Sequence, residues 1–226
     1  MEFKDNMMNQ LIFKFPFKTK YFEQDYFVSK NNFSAYKLIE SWPNWSGKWV
    51  NVFGVHGSGK THLSKILEKK IKEIKIINAS EVDNSLIENL ENFQCLIIDD
   101  YNQNIEQKLF YSLLNQSKQL DNYILINSIR SLKEFHFKYP DLESRVNSFI
   151  FLGIDLPTDD LLQVIIAKSF SDKQVKLDPK VSNFIINNVD RSYDKMLKFL
   201  KEIDELSLSS GKAININLIK KVLNKS

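Results

Sequence analysis

Scarcity is the first feature of this chain of 226 residues, which has one cysteine, three arginines, five prolines and six glycines. A lone thiol, Cys95, excludes an intrachain disulfide and a cysteine-cluster zinc site. No run approaches about 18 consecutive apolar residues, and no continuous apolar stretch of the signal-peptide kind opens the chain. A membrane span and a secretory leader are therefore not expected, and the default compartment is the cytoplasm. Charge of one sign is scarce too. A net +3 gives no support for a strongly basic surface that wraps DNA. What is present, 43% apolar and 26% charged residues, is ordinary globular composition and excludes wholesale disorder. At roughly 150 residues per domain, the length fits one domain or two small ones with a substantial core.

Along the chain, Met1 to Lys20 alternates Phe and Lys without helical period and reads as an extended lead-in. Phe33, Tyr36, Leu38 and Ile39 give Asn31 to Trp42 one apolar helical face, ended by Pro43. Short apolar runs at Trp49–Phe53, Ile74–Ile77, Cys95–Ile98, Tyr123–Ile126 and Phe149–Leu152 read as five strands. Between them, Lys60–Lys72 and Ile105–Leu120 read as helices, the second through Leu109, Phe110, Leu113 and Leu114. Apolar strands alternating with helices predict an α/β fold with a parallel sheet covered on both faces. After Pro157 the strands stop. Thr158–Phe170, Pro179–Asn187, Ser192–Leu208 and Asn215–Leu223 read as four consecutive helices. The expected organisation is an extended segment over 1–20, an α/β part over 21–156 and a helical part over 157–226.

Half of the glycines fall within six residues, in Gly54-Val55-His56-Gly57-Ser58-Gly59-Lys60-Thr61. This fits the phosphate loop G-x-x-x-x-G-K-[ST], between a predicted strand and a predicted helix as that motif requires. Glycines let backbone N–H groups turn toward phosphate oxygens, and the helix N-terminus adds partial positive charge. Lys60 is expected on the β/γ-phosphates and the Thr61 hydroxyl on Mg²⁺. With Gly at ~7% of residues, a chance match in such a chain is on the order of one in a hundred. About 40 residues on, Cys95–Ile98 delivers two carboxylates: Asp99 for the Mg²⁺ shell and Asp100 to polarise the attacking water. Cys95 itself reads as an inert core residue. His56, His62 and His136 are too scattered for a metal site.

The fourth strand runs into Asn127-Ser128-Ile129-Arg130. A polar strand tip there either senses the γ-phosphate and orients water or, through Ser128 or Ser131, caps the next helix; both readings stay open. Arg130, Arg145 and Arg191 are exceptional in a lysine-rich chain. An arginine fork grips phosphate bidentately, so nucleotide or partner contacts compete with structural ion pairs as their roles.

The phosphate loop, Leu96-Ile-Ile-Asp-Asp100, the polar strand tip, Asp141-Leu-Glu-Ser-Arg145 and the helical tail together resemble the AAA+ module of the bacterial replication initiator DnaA. Thr61-His62-Leu63 is similar to the DnaA-type loop. The resemblance stops at Ser226, short of a helix-turn-helix domain, so direct sequence-specific DNA binding is not expected. The match is closer to the Hda family of DnaA-related regulators, in its alphaproteobacterial form, through Asp25–Asn32, Trp42–Trp45 and Ala167–Gln174. The resemblance implies an AAA+ P-loop NTPase fold with a small all-helical lid and binding of ADP or ATP with Mg²⁺. It also implies that the chain works with DnaA and the DNA polymerase sliding clamp (β subunit), promoting hydrolysis of DnaA-bound ATP; a homodimer stays open. Gln10, Leu11, Phe13 and Phe15 look like the family's clamp-binding peptide, against the alternative of an arm packed on its own domain. Arg145 matches an arginine finger acting on a neighbouring subunit's nucleotide. Arg130 follows Ile129 where the family has Asp. Asp194 stands where DnaA has its second-sensor arginine, and Arg191, one turn earlier, is the substitute. The other functions compatible with these motifs are an autonomous ATPase such as a helicase loader and an adaptor whose nucleotide is purely structural.

Overall fold

In the computed structural model, residues 26–171, 175 and 177–224 are described. They form two compact units that meet in sequence between Pro157 and Thr158. The first is built on five parallel strands, β1 (Trp49–Phe53), β2 (Ile74–Asn78), β3 (Cys95–Tyr101), β4 (Tyr123–Ser128) and β5 (Ile150–Gly153), in the order β2-β3-β4-β1-β5. Its helices are α1 (Phe33–Glu40), α2 (Lys60–Glu68), α3 (Asn84–Glu88), α4 (Gln107–Gln119) and α5 (Pro140–Asn147).

Alternation along each strand sorts the core into two faces. Leu96 and Ile98 of β3 and Ile124 and Ile126 of β4 pack with Phe110, Leu113 and Leu114 of α4 and Leu142 and Val146 of α5. Cys95, Ile97 and Leu125, with Val50 and Val52 of β1, face Ala35 and Ile39 of α1 and Leu63, Ile66 and Leu67 of α2. Parallel strands buried on both faces must be apolar throughout, which is why these runs do not alternate with polar residues. Asn51 is an exception in mid-strand, fully buried in β1. Its amide donates to Ile126 O at 2.9 Å and Ser128 Oγ at 2.8 Å, and its Oδ1 accepts from Leu132 N at 2.9 Å. A buried amide satisfied on both ends costs little and fixes where the chain leaves β4.

Two helices are absent from the sequence reading. α3 is a five-residue helix started by Asp83, whose side chain accepts from Leu86 N. α5 starts with Pro140 in its first turn, where a missing N–H is harmless. The strand at Cys95 also runs three residues past Ile98, taking both aspartates into β3.

The second unit contains α6 (Asp159–Ser171), α7 (Pro179–Asn188), α8 (Tyr193–Ser210) and α9 (Ile216–Leu223). Its boundaries are written in capping residues: Asp178 starts α7, Ser192 starts α8, left-handed Gly211 ends it, and Asn215 starts α9. Among the described residues no helix is long and apolar enough to cross a membrane.

Cys95 is fully buried, and desolvation pushes its thiol up to about 12. Its proton is held more tightly folded than unfolded, so this thiol costs no stability at neutral pH and opposes folding only as pH rises from about 9 toward 12. At pH 8 the native protein should therefore take up no thiol-reactive reagent, and one equivalent once unfolded in denaturant. Rapid stoichiometric labelling of the native chain, read by mass spectrometry, would place Cys95 outside the core.

Candidate functional site

The site lies at the C-terminal ends of β1, β3 and β4, which the sheet order makes neighbours. At the end of β1 the chain enters the phosphate loop at Gly54. A Cβ there would lie 2.2 Å from the Ile154 carbonyl oxygen and 3.0 Å from Ser58 Oγ, so only glycine lets the loop run this close to the segment after β5. Gly59, with φ at +98°, makes the left-handed step into α2. The Lys60 side chain turns back into the loop and donates to the carbonyls of Gly54 at 2.6 Å and Val55 at 3.0 Å. Val55 and His56 are exposed at the rim, whereas Ser58 is buried with its Oγ unpartnered. His62, on α2, meets the Tyr26 ring edge-on at 5.2 Å.

Asp99, in β3, joins the start of α2 to the tip of β4. Thr61 Oγ1 donates to its Oδ2 at 3.0 Å, and Asn127 Nδ2 donates to its Oδ1 at 3.1 Å. Asn127, fully buried at the tip of β4, also donates to Ser64 Oγ on α2 at 2.8 Å, and its Oδ1 has no protein partner. Asp100 has a left-handed backbone (φ +56°), at a break in the β3–β4 register between Ile98 and Tyr101. Its carboxylate turns toward β2, where Asn78 Nδ2 lies 3.4 Å away. A hydroxyl and a carboxylate 3.0 Å apart form a hard-oxygen pair of the kind that suits Mg²⁺, with water and phosphate supplying the remaining ligands. Among the described residues no cluster of three or more His, Cys, Asp or Glu offers an all-protein metal site.

Of the two readings of the polar strand tip, the structure shows the cap. Asn127 reaches Asp99, while Ser131 caps the turn Leu132–Glu134 in a capping box with Glu134. The arginines divide. Arg130 is exposed, stacked 4.3 Å over the Phe135 ring. Arg145 is half-buried on α5, and its Nε donates to Asn115 Oδ1 on α4 at 3.0 Å. Asn115 lies about 12 Å along α4 from its first residue, at 1.5 Å per residue, so Arg145 is held toward the starts of the strands, away from the loop. Arg191 pairs with Asp159 at 2.9 Å within the helical unit. Gln10, Leu11, Phe13 and Phe15 lie outside the described residues.

Comparison with known proteins finds relatives of the lid and of the fold. The sequence profile of the Hda lid domain matches residues 159–223. The DnaA initiator of Buchnera aphidicola subsp. Baizongia pistaciae is 26% identical across 96% of this chain and 53% of its own length. The chain thus spans about half of the DnaA initiators it matches. Domain III of Thermotoga maritima DnaA superposes with a TM-score of 0.76 at 18% identity, covering 93% of this chain and 98% of that domain. AMPPCP-bound DnaA from Aquifex aeolicus superposes at 0.68 with 20% identity, covering 86% of this chain and 68% of its own. A parallel sheet with its phosphate loop after the first strand is the fold of DnaA domain III, and in this chain residues 159–223 match the Hda lid domain.

Proposed function

We propose that the chain is a replication regulator that binds ADP or ATP with Mg²⁺ and, together with the sliding clamp, promotes hydrolysis of the ATP bound to DnaA. The observation that carries this reading is the Hda lid match, in a chain related to DnaA. Nucleotide binding has its own support in the loop geometry and in the AMPPCP-bound initiator of the same fold.

In this reading the backbone of Gly54 to Gly59, with the flanking Val55, His56 and Ser58, surrounds the phosphates. Lys60 exchanges its two carbonyl partners for β/γ-phosphate oxygens, and His62 borders the nucleotide. Thr61 and Asp99 would hold Mg²⁺, which would supply positive charge where negative charge gathers on the phosphates. Asn127 orients a water near the γ-phosphate, and Asp100 polarises it. Arg191, paired with Asp159, is the nucleotide-binding arginine that the resemblance to DnaA implies. Arg145 acts as a finger on nucleotide held by a second AAA+ subunit, DnaA or another copy of this chain. Its tether on α4, away from its own loop, supports that division of labour. Gln10 makes polar contacts on the clamp while Leu11, Phe13 and Phe15 enter an apolar groove. The site of action is the cytoplasm.

Lys60→Ala should weaken ADP and ATP binding by more than tenfold, since losing a charge-assisted bond costs on the order of 1.5–3 kcal/mol. Calorimetry giving wild-type affinities would overturn the nucleotide site.

A peptide spanning Gln10–Phe15 should bind the clamp, and changing Gln10 and Leu11 to Ala should abolish binding by the full chain without lowering its melting temperature. A lower melting temperature with clamp binding intact would make the segment part of the core.

Arg145→Lys keeps the charge but loses the planar fork. It should bind ADP like the wild type yet fail to stimulate single-turnover hydrolysis of DnaA-bound ATP with DNA-loaded clamp, a loss of up to 10³–10⁵ in rate by analogy with arginine fingers. Full stimulation would leave a nucleotide-binding adaptor without a finger.

A further inference from the structure

One hydroxyl beside the site is not accounted for by packing. Ser64 is fully buried on α2 with Leu63, Ile66 and Leu67, a setting in which an aliphatic residue is the usual occupant. A buried hydroxyl needs a partner, and the partner here is Asn127. Its Nδ2 donates to Ser64 Oγ at 2.8 Å and to Asp99 Oδ1 at 3.1 Å. Thr61, three residues before Ser64 and so on the same face of α2, donates to the other oxygen of Asp99 at 3.0 Å. Thr61, Asp99, Asn127 and Ser64 therefore close a ring through one turn of α2.

The ring decides which end of the Asn127 amide is left over. An ionised carboxylate only accepts, so the amide atom beside Asp99 must be the nitrogen. With one N–H bonded, the amide plane can still swing, because the last torsion of asparagine is broad. The second N–H, taken by Ser64, fixes the plane. What remains is Oδ1, buried and without a protein partner, an acceptor with two lone pairs. An acceptor is satisfied only by a hydrogen. Water carries one; a fully ionised terminal phosphate does not.

We infer that Ser64 is a positioning residue for Asn127, holding the amide so that Oδ1 takes a hydrogen from the water facing the γ-phosphate. The tip of β4 then reads this phosphate through that water rather than by direct contact. The inference rests on the proposed water-orienting role of Asn127.

The test uses the full chain as wild type, Ser64→Ala, Ser64→Cys, Asn127→Ala and the double variant Ser64→Ala with Asn127→Ala. Calorimetry gives the affinities for ADP and for AMPPCP, and single-turnover kinetics the rate at which ATP bound to this chain is hydrolysed. Ser64→Ala should keep the wild-type ADP affinity and weaken AMPPCP about threefold, the size of one neutral hydrogen bond. It should slow hydrolysis about tenfold, a modest case of what misplacing a catalytic group costs. Ser64→Cys, similar in shape but a weak acceptor, should do the same. In the Asn127→Ala background, Ser64→Ala should take away nothing further. Equal losses of ADP and AMPPCP affinity in the Ser64 variants mark a packing defect and would overturn the positioning role. So would wild-type behaviour of both Ser64 variants where Asn127→Ala is impaired, or additive losses in the double variant. A wild-type rate and AMPPCP affinity for Asn127→Ala would instead overturn the water-orienting role, and this inference with it. Where the wild type turns over too slowly to follow, the ratio of AMPPCP to ADP affinity decides alone. If Ser64→Ala does not fold, the Ser64→Cys arm decides by the same criteria.

Discussion

The site is held together by one carboxylate gripped on both of its oxygens. Thr61 donates to one oxygen of Asp99 and Asn127 to the other, so the start of α2, the end of β3 and the tip of β4 are tied at a single point. Neither donor could reach it unless β3 and β4 ended level, with β1 on the far side of β4 delivering the loop. The strand order β2-β3-β4-β1-β5 supplies that arrangement, and the two apolar faces make the order rigid. At the loop entry the backbone passes so near Ile154 that even a methyl group is excluded, which pins β5 to the same corner. Chemistry at this corner inherits its precision from packing several residues away.

Much of this was legible in the sequence because the signals were local. Glycines concentrated in a single loop, continuous apolar runs of strand length, and Asp-Asp closing one of them each follow from an immediate physical need. The five strands begin within a residue of where their composition places them, and the four helices of the second unit follow apolar spacing and capping residues. Less legible was whatever depends on a partner distant in sequence. Asn51 reads as a flaw in an apolar strand until β4 is laid beside it. Asn115 reads as one more polar residue on α4 until α5 brings Arg145 to it. Asp100 reads as the twin of Asp99, yet the register break turns it toward Asn78. α5, opened by proline and rich in charge, gave too short an apolar stripe to stand out.

The three arginines show how a rare residue can be informative without being uniform. Arg130 is spread over an aromatic ring, Arg191 is committed to a carboxylate, and Arg145 is tethered by a neutral amide. Their different partners leave different amounts of charge for a ligand. Asp159 offsets the charge of Arg191 outright, whereas the Phe135 face and the Asn115 amide leave theirs largely in place. Rarity in the sequence pointed to all three, and only the neighbours distinguish them.

Asn51 has a mechanical consequence. Its amide bridges the middle of β1 to the last residues of β4 and to the start of the following turn, all without access to water. The strand that feeds the phosphate loop and the strand that carries Asn127 are thereby riveted side by side, beyond their ordinary ladder of backbone bonds. Neither strand can slide past the other without stranding a buried amide. The pieces outside the rivet are the rim of the loop, the Asp100 bend and the exposed Arg130 beyond the end of β4.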